Sequence, residues 1–259
     1  MSVTPRFLCG CALLLVGCFN TVQSDSPVSG DEAAKLTSFS YEDWTRILAS
    51  HVDSDGRVDY PALKANRLPL DRFVGLIGSV GPKSRPALFP TRAHRLAYYI
   101  NAYNALTMFN VINRLPGLKR VIDDKFDFFY FTKFPLDGGE ISLYALENDV
   151  IRPDFGEPRI HFALNCASVG CPQLPARPFL PTSLKQQLAV ETHKFISDAR
   201  NVAVHNGQVV LSEIFEWYAK DFPPNPVTWI NDVTTDLKLP QHLPVSYRPY
   251  NWALNAQAF

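Results

Sequence analysis

The chain has 259 residues, with 25 Lys and Arg against 25 Asp and Glu, so its formal net charge at pH 7 is zero. This balance gives no bulk attraction to nucleic acid or to acidic lipid, and we expect no nucleic-acid partner. Hydrophobic residues make up 46% of the chain, an ordinary share for a globular protein that can bury one substantial core.

The first 18 residues predict an export signal. An apolar run from Phe7 to Val16 follows one arginine, and it is far shorter than the roughly 20 residues that a membrane-spanning helix needs. The run ends in Leu-Val-Gly-Cys, which resembles the lipobox of bacterial lipoproteins. Cys18 would then carry the lipid and become the first residue of the mature protein. We therefore expect an exported lipoprotein, anchored in a membrane by this lipid and facing the periplasm or the cell surface.

A second cleavage site competes with the lipobox. Small residues at Val22-Gln23-Ser24 also fit a signal-peptidase site, which would leave a mature chain that begins at Asp25 without lipid. Residues 19–37 are polar and contain Ser, Pro and Gly, a composition that predicts a flexible tether. Residues 38–259 are then expected to form a single globular domain.

The first helix of that domain is predicted over residues 39–51. Ser40 can cap its N-terminus. Three apolar side chains fall on one face at helical spacing, namely Trp44, Ile47 and Leu48.

A buried central helix is predicted over residues 91–114. Apolar side chains cover so much of its circumference that the helix must lie inside the domain. Asn101 and Asn104 stand within the apolar face, and a buried amide without partners costs about 1–3 kcal/mol. We expect both amides to bond to backbone around residues 160–172. The alternative is that they only hold an irregular loop in place.

The rest of the chain alternates short predicted elements with irregular segments, as its 21 prolines indicate. The fold class that follows is α+β, with the central helix packed on a small antiparallel or mixed sheet in one domain. In chain order, the elements are a hairpin over 125–143, a helix over 142–151, a strand over 159–164, a helix over 183–199, a hairpin over 201–211, a helix from Ser212 to Phe222 and an extended tail.

Five segments resemble one family when they are taken in chain order. They are RLAYYINAYNAL, ISLYALENDVIR, PRIHFALNCASVGCPQL, LSEIFEWYAKDF and YNWALN, and DGRVDYPAL also fits. Together they are similar to the domain-of-unknown-function family 547 over about residues 38–255. Bacterial members of that family are often exported, which agrees with the leader, and the family has no established activity.

The resemblance also marks a set of polar positions as a candidate polar centre or ligand-binding site. In the closing segment it implies an acidic residue where this chain has Asn251, so it assigns no catalytic duty to the tail. The marked positions are Asn101, Asn104, Glu147, Arg159, His161, Asn165 and Cys166.

One chemical hypothesis makes Cys166 a nucleophile with His161 as its base. A thiolate needs such a base or a positive environment at neutral pH. If residues 161–166 were extended, the two side chains would lie about 16 Å apart and on opposite faces. We therefore expect His161 to contact Glu147 or the neighbourhood of Arg159 instead of Cys166.

A second hypothesis joins Cys166 to Cys171. Both cysteines would face an oxidising compartment after export, and Gly170 and Pro172 let the short loop fold back. A bridge over so few residues would stabilise the domain by about 2 kcal/mol.

Zinc is the third possibility, with His161, Cys166 and Cys171 as ligands. A structural zinc site requires four ligands, and no fourth candidate stands nearby in the sequence. We therefore predict no metal and no cofactor.

Two functional hypotheses remain open. The first is a non-catalytic domain that binds an unknown small molecule or an envelope protein, with the Cys166–Cys171 disulfide as a structural element. The second is a thiol-dependent hydrolase or transferase that acts through Cys166 and His161.

Overall fold

The computed structural model describes residues 21–257, which form one α+β domain. The predicted export signal over residues 1–18 lies outside this range. Within it, no helix has both the length and the apolar character to cross a membrane. The α-helices are α1 Gly30–Lys35, α2 Glu42–His51, α3 Tyr60–Ala65, α4 Leu68–Ser79, α5 Arg92–Arg114, α6 Leu143–Ala145, α7 Arg152–Phe155, α8 Leu184–Ser197, α9 Ile214–Trp217 and α10 Pro226–Val233. The strands are β1 Lys133–Leu136, β2 Gly139–Ser142, β3 Val202–His205, β4 Gln208–Ser212 and β5 Val245–Arg248.

Helix α5 is the centre of the domain. It starts after Thr91, whose side chain accepts a hydrogen bond from the His94 N–H, so that one free donor of the first turn is satisfied. Every residue from Leu96 to Ile112 is buried. The predicted central helix is confirmed to within one residue. Its apolar circumference is covered by α3, α4 and α6.

The strands form two small sheets. Strands β1 and β2 make an antiparallel hairpin, and the turn between them places Asp137 and Gly138 at positive φ. Strands β3 and β4 are antiparallel around an Asn206-Gly207 turn, and β5 adds to β4 in the parallel direction. The domain is thus α+β, as predicted.

Two hydrophobic cores fill the domain. The larger surrounds α5 and includes Phe134 of β1, whose ring lies 6.4 Å from that of Phe109. The smaller core is aromatic and packs α8 and the three-stranded sheet together. Ile160 belongs to the larger core and Phe162 to the smaller one, so this segment joins the two.

The segment that joins the cores is a 3-10 helix, Pro158–Phe162, where the sequence predicted a strand. Pro158 occupies the first turn, where its fixed φ suits a helix and its missing N–H is harmless. The Glu157 side chain accepts a hydrogen bond from the Arg159 N–H and so caps this turn. A short apolar run is compatible with either a strand or a helix, and here the Glu157 cap favours the helix.

The helix predicted over residues 142–151 also differs in detail. Ser142 caps α6, a π-helical stretch over Leu146–Ile151 follows, and α7 continues to Phe155. Pro153 stands in the first turn of α7, a position at which proline does not end a helix. The widened π turn places Glu147 toward the interior, where its side chain is buried.

The described part of the predicted tether lies on the domain instead of extending from it. The Val22 N–H donates to the Lys133 carbonyl at 2.8 Å, and the Ser24 hydroxyl donates to the Asp71 carbonyl at 2.5 Å. Further along, Arg85 donates to the Leu36 carbonyl at 2.9 Å. We refer to residues 21–36 as the docked segment. Its polar composition was consistent with a tether, but its hydrogen bonds to helix and strand carbonyls hold it in place.

Candidate functional site

A cleft of about 400 Å³ opens where the two cores meet. Helix α5 contributes to it, as do the loop after residue 163, the segment around α9 and the tail. Two π-helical turns, Asp127–Phe131 and Leu146–Ile151, also line it. We call one side the helix wall, which consists of Tyr103, Tyr130, Tyr144 and Glu147. We call the other the tail wall, which consists of Trp217, Tyr218, Tyr250 and Trp252.

Aromatic rings cover both walls. Tyr130 stacks on Tyr144 with ring centroids 4.3 Å apart, and Tyr144 remains 41% exposed. On the tail wall, Trp217 stacks on Trp252 at 5.6 Å and is 44% exposed. Large apolar side chains are usually covered, so exposed rings that face one cleft indicate a surface prepared for a ligand.

Glu147 is the one acidic side chain that lines the cleft among residues 21–257. It is only 8% exposed, and it forms no ion pair with the described residues. The phenol groups of Tyr103 and Tyr218 line the same cleft and interact electrostatically with its carboxylate. Burial raises the pKa of Tyr103, Tyr218 and Tyr250 well above its usual value, and the negative charge of Glu147 raises it further. These phenols therefore stay protonated at neutral pH and serve as donors.

His161 lines the cleft, and its ring contacts Asp221. Its Nε2 lies 2.8 Å from Asp221 Oδ2, and its ring stacks on Tyr218 at 3.9 Å. Arg152 donates to both oxygens of Asp221, at 2.7 and 3.0 Å. Hydrogen bonding from His161, and then from Arg152, lowers the pKa of the Asp221 carboxyl below its usual range. Asp221 thus stays ionised and fixes the ring of His161.

The partner expected for His161 was wrong. Its ring contacts Asp221, which follows α9, and neither Glu147 nor the neighbourhood of Arg159. Arg159 pairs with Glu157 at 2.6 Å and lines a different groove beside α8. The structure therefore does not bring Arg159 into the proposed polar centre. Asp221 lies in LSEIFEWYAKDF, one of the segments that carry the family resemblance, but its pairing with His161 is a long-range contact that no local pattern predicts.

Cys166 and Cys171 form a disulfide, as predicted, with their Cα atoms 6.1 Å apart. Both residues line the cleft. Because the bridge uses both sulfurs, they are not available as zinc thiolates in this state. Among residues 21–257, no group of three or more His, Cys, Asp and Glu side chains is arranged to hold a metal ion.

The expected separation of His161 from Cys166 rested on a strand that does not form. The chain is helical over Pro158–Phe162 and turns again beyond it, so the estimate for an extended chain does not apply. Both side chains line the same cleft. The geometric objection to a Cys166–His161 pair is therefore removed, although the disulfide holds the Cys166 sulfur.

The three asparagines of the proposed centre are buried and build the scaffold around the cleft. Asn104 donates to the Ala163 carbonyl at 2.9 Å and accepts from the Asn165 N–H at 2.8 Å, in the region where we expected its partners. Asn165 donates to the Pro172 carbonyl at 2.8 Å, which closes the cysteine loop.

Asn101 is buried as expected, but its partners lie elsewhere. It donates to the Phe179 carbonyl at 2.7 Å and accepts from the Phe179 N–H at 3.0 Å. It also accepts from the Trp44 indole at 3.1 Å. Asn101 therefore pins the chain after the cysteine loop to α5 and α2, and it does not reach the cleft.

Sequence reasoning missed the tyrosines of the cleft. The sequence analysis assigned no role to Tyr103, Tyr218 or Tyr250. One signal was available, which is the density of aromatic residues in EIFEWYAKDF and RPYNW. Asn251, where the family resemblance implied an acid, lies outside this cleft, and its carbonyl accepts from the Gly170 N–H at 2.8 Å.

Comparison with known proteins adds a family to this geometry. The model of the family described as "Protein of unknown function, DUF547" matches residues 89–196. The family resemblance is therefore confirmed over this stretch of the chain. No curated protein and no solved structure matches the chain. The DUF547 match contains the helix wall, His161 and the disulfide, whereas the tail wall and Asp221 lie beyond it.

Proposed function

We propose that this chain is an exported, membrane-anchored lipoprotein whose domain binds a small ligand in the aromatic cleft without transforming it. The ligand carries a positively charged amino group that faces Glu147. The cleft volume of about 400 Å³ lies within the range of about 300–1,000 Å³ typical of small-molecule sites. The observation that carries the proposal is a buried carboxylate that lines an aromatic cleft and forms no ion pair with the described residues.

Charge is the reason for choosing an amine. A buried carboxylate is costly unless a cation or several hydrogen bonds compensate it, and Glu147 forms no ion pair with the described residues. Aromatic faces attract cations, and quaternary ammonium groups are held by such cages. One cation–π contact in the cleft supports this choice, because the ammonium of Lys125 lies 6.0 Å from the centre of the Trp252 ring.

Matched probes test the charge requirement directly. Choline and 3,3-dimethylbutan-1-ol have nearly the same shape, but only choline is positively charged. Titration calorimetry, together with quenching of Trp217 and Trp252 fluorescence, should show choline binding about ten-fold more tightly. Glu147→Gln should abolish this preference. Glu191→Gln is the matched control, because Glu191 is also buried but pairs with Lys194 away from the cleft. Equal affinity for both probes, or no binding of either, would contradict the proposal.

The export part of the proposal rests on the leader and on the oxidised cysteine pair. An apolar run that stops at Cys18 is typical of lipoproteins, and a disulfide is typical of compartments outside the cytosol. We expect the mature protein to begin at Cys18 and to partition into detergent. Intact-mass measurement checks this, and Cys18→Ser should leave the protein unprocessed or released. An unlipidated chain that starts at Asp25 would identify the competing cleavage site.

A thiol-dependent hydrolase or transferase is the second candidate. The observation in its favour is that Cys166 and His161 line the same cleft, with His161 held by Asp221. This chemistry needs a reduced Cys166. Protein isolated from the envelope and treated with iodoacetamide without reductant separates the two candidates. Full alkylation of Cys166 would favour the enzyme, and a protected pair would favour the binding domain.

A further inference from the structure

Three hydrogen-bond donors converge on one sulfur of the disulfide. The backbone N–H groups of Cys166 and Ser168 point to Cys171 Sγ at 3.0 and 3.3 Å. The Tyr250 hydroxyl lies 3.0 Å from the same atom. A disulfide sulfur is a weak acceptor, whereas a thiolate is a strong one. The arrangement is therefore better matched to an anionic Cys171 than to the bridged pair.

The loop that holds these donors does not depend on the disulfide for its shape. The Asn165 side chain accepts from the Ala167 N–H at 2.9 Å, and Ala167 adopts the left-handed region at φ 63°. From the tail, Asn251 and Ala253 accept from the Gly170 and Val169 N–H groups, both at 2.8 Å. Closing a loop of so few residues restricts the unfolded chain little. The donors should therefore stay in place after reduction.

Tyr250 is held in position by its surroundings. Its N–H donates to Glu213 at 2.8 Å, and its ring lies against Gly170, where an added Cβ would come within 2.9 Å of the ring. Burial and the charge of Glu147 raise its pKa, so the hydroxyl keeps its proton. Its oxygen also lies 3.0 Å from Cys166 Sγ, so the phenol spans both sulfurs.

We propose that the Cys166–Cys171 disulfide is redox-active and exchanges with an external dithiol, with Cys171 as the sulfur that leaves as a thiolate. This activity goes beyond ligand binding and does not depend on it. Cys166 is the more exposed of the two residues and faces the cleft, so an incoming thiolate can reach it. Stabilising the leaving thiolate speeds the exchange and makes the pair a stronger oxidant.

The reaction takes place in two steps. A thiolate of the dithiol attacks Cys166 Sγ, a mixed disulfide forms, and the electron pair of the broken S–S bond stays on Cys171. The second thiol of the partner loses its proton to solvent and attacks the partner's own sulfur, which releases Cys166 as a thiolate that takes up a proton. The partner gains a disulfide and gives two electrons to the cysteine pair.

Equilibration with glutathione tests the proposal. The full chain is incubated in buffers of reduced and oxidised glutathione, quenched with acid, alkylated and weighed intact. We expect the pair to be half reduced at millimolar glutathione, where ordinary structural disulfides stay oxidised. Tyr250→Phe should shift this equilibrium about ten-fold toward the disulfide, because one donor to the thiolate is lost. Tyr247→Phe, on β5 and away from the sulfurs, should leave it unchanged.

Single-cysteine variants give an independent measurement. In Cys166→Ser, Cys171 is a free thiol beside its hydrogen-bond donors. In Cys171→Ser, Cys166 is a free thiol that can no longer form the disulfide. Thiolate absorbance against pH should give Cys171 the lower pKa, and Tyr250→Phe in the Cys166→Ser background should raise it. A pair that stays oxidised throughout the glutathione series, or one that Tyr250→Phe does not shift, would overturn the proposal. So would a Cys171 thiol with an ordinary pKa.

Discussion

The two walls of the cleft are built in different ways. The helix wall, with Tyr103 and Glu147, stands on α5 and on the π turn beside it, and backbone hydrogen bonds set its geometry. The tail wall, with Trp217 and Tyr250, comes from a short helix and an extended segment, which are held mainly by side-chain contacts and isolated bridges. The DUF547 match contains the first wall and ends before the second.

This difference shows where the structure can vary. A wall on a buried helix is fixed by a large core, and changing it disturbs the whole domain. A wall on irregular segments can exchange aromatic residues at small cost, because few backbone groups depend on them. We infer that the helix wall carries the charge of the site and the tail wall its shape. The predictions below separate the two walls, starting with the largest effect.

Asn101→Ala should have the largest effect, because it weakens the scaffold of the helix wall. The substitution leaves the Phe179 backbone groups and the Trp44 indole without their buried partner. We expect a loss of about 3 kcal/mol in the free energy of unfolding, measured by urea denaturation. Asn113→Ala, on the exposed face of the same helix, is the control and should change stability little. A loss below about 1 kcal/mol for Asn101→Ala would mean that the amide is not structural.

Asp221→Asn should have a smaller effect, because it weakens hydrogen bonds beside the cleft without opening a core. Asp221 accepts from His161 and Arg152, and these bonds lower its pKa. The group therefore stabilises the fold above its unfolded pKa, near 3.8, and this contribution is lost as the pH falls toward the lower folded value.

Unfolding measured against pH tests this sign. The free energy of unfolding of wild type should exceed that of Asp221→Asn by about 2 kcal/mol at pH 7, and this difference should shrink below pH 4. Asp236→Asn is the control, because its pairing with His193 is exposed on the surface. A difference that grows as the solution becomes more acidic would reverse our assignment of the pKa shift.

The helix wall could be predicted from the sequence further than the tail wall. The spacing of apolar residues predicted α5 to within one residue, because that signal is local. The Asn206-Gly207 pair is also a local signal, and it predicted the turn between β3 and β4. The disulfide followed from compartment and spacing. The partner of His161 did not, because Asp221 lies 60 positions away.

The hydrogen-bond donors to Cys171 could not be predicted from the sequence for the same reason. Tyr250 is 79 positions from Cys171, and only the packed tail brings them together. The prediction of a strand around His161 was wrong because the apolar residues of this short run fit a strand as well as a 3-10 turn. Local patterns therefore predicted the elements, whereas the site depends on contacts between elements that no local pattern contains.

The docked segment gives the smallest expected effect, and it tests whether residues 21–36 behave as part of the helix-wall scaffold or as a tether. Gly75 on α4 lies directly against the Ser26 carbonyl, so Gly75→Ala should push the segment off the helix. Ala33 is the one hydrophobic residue that the segment buries fully, so the loss of stability should be only about 1 kcal/mol. Hydrogen exchange should rise within residues 21–36 and stay unchanged in α5. Gly30→Ala is the matched control, because an added Cβ there meets no atom within 4 Å.

If the segment already exchanges rapidly in wild type, it is a tether, and Gly75→Ala should then change nothing. If it is docked, only Phe19 and Asn20 separate it from Cys18, and a lipid at Cys18 would hold the domain close to the membrane surface.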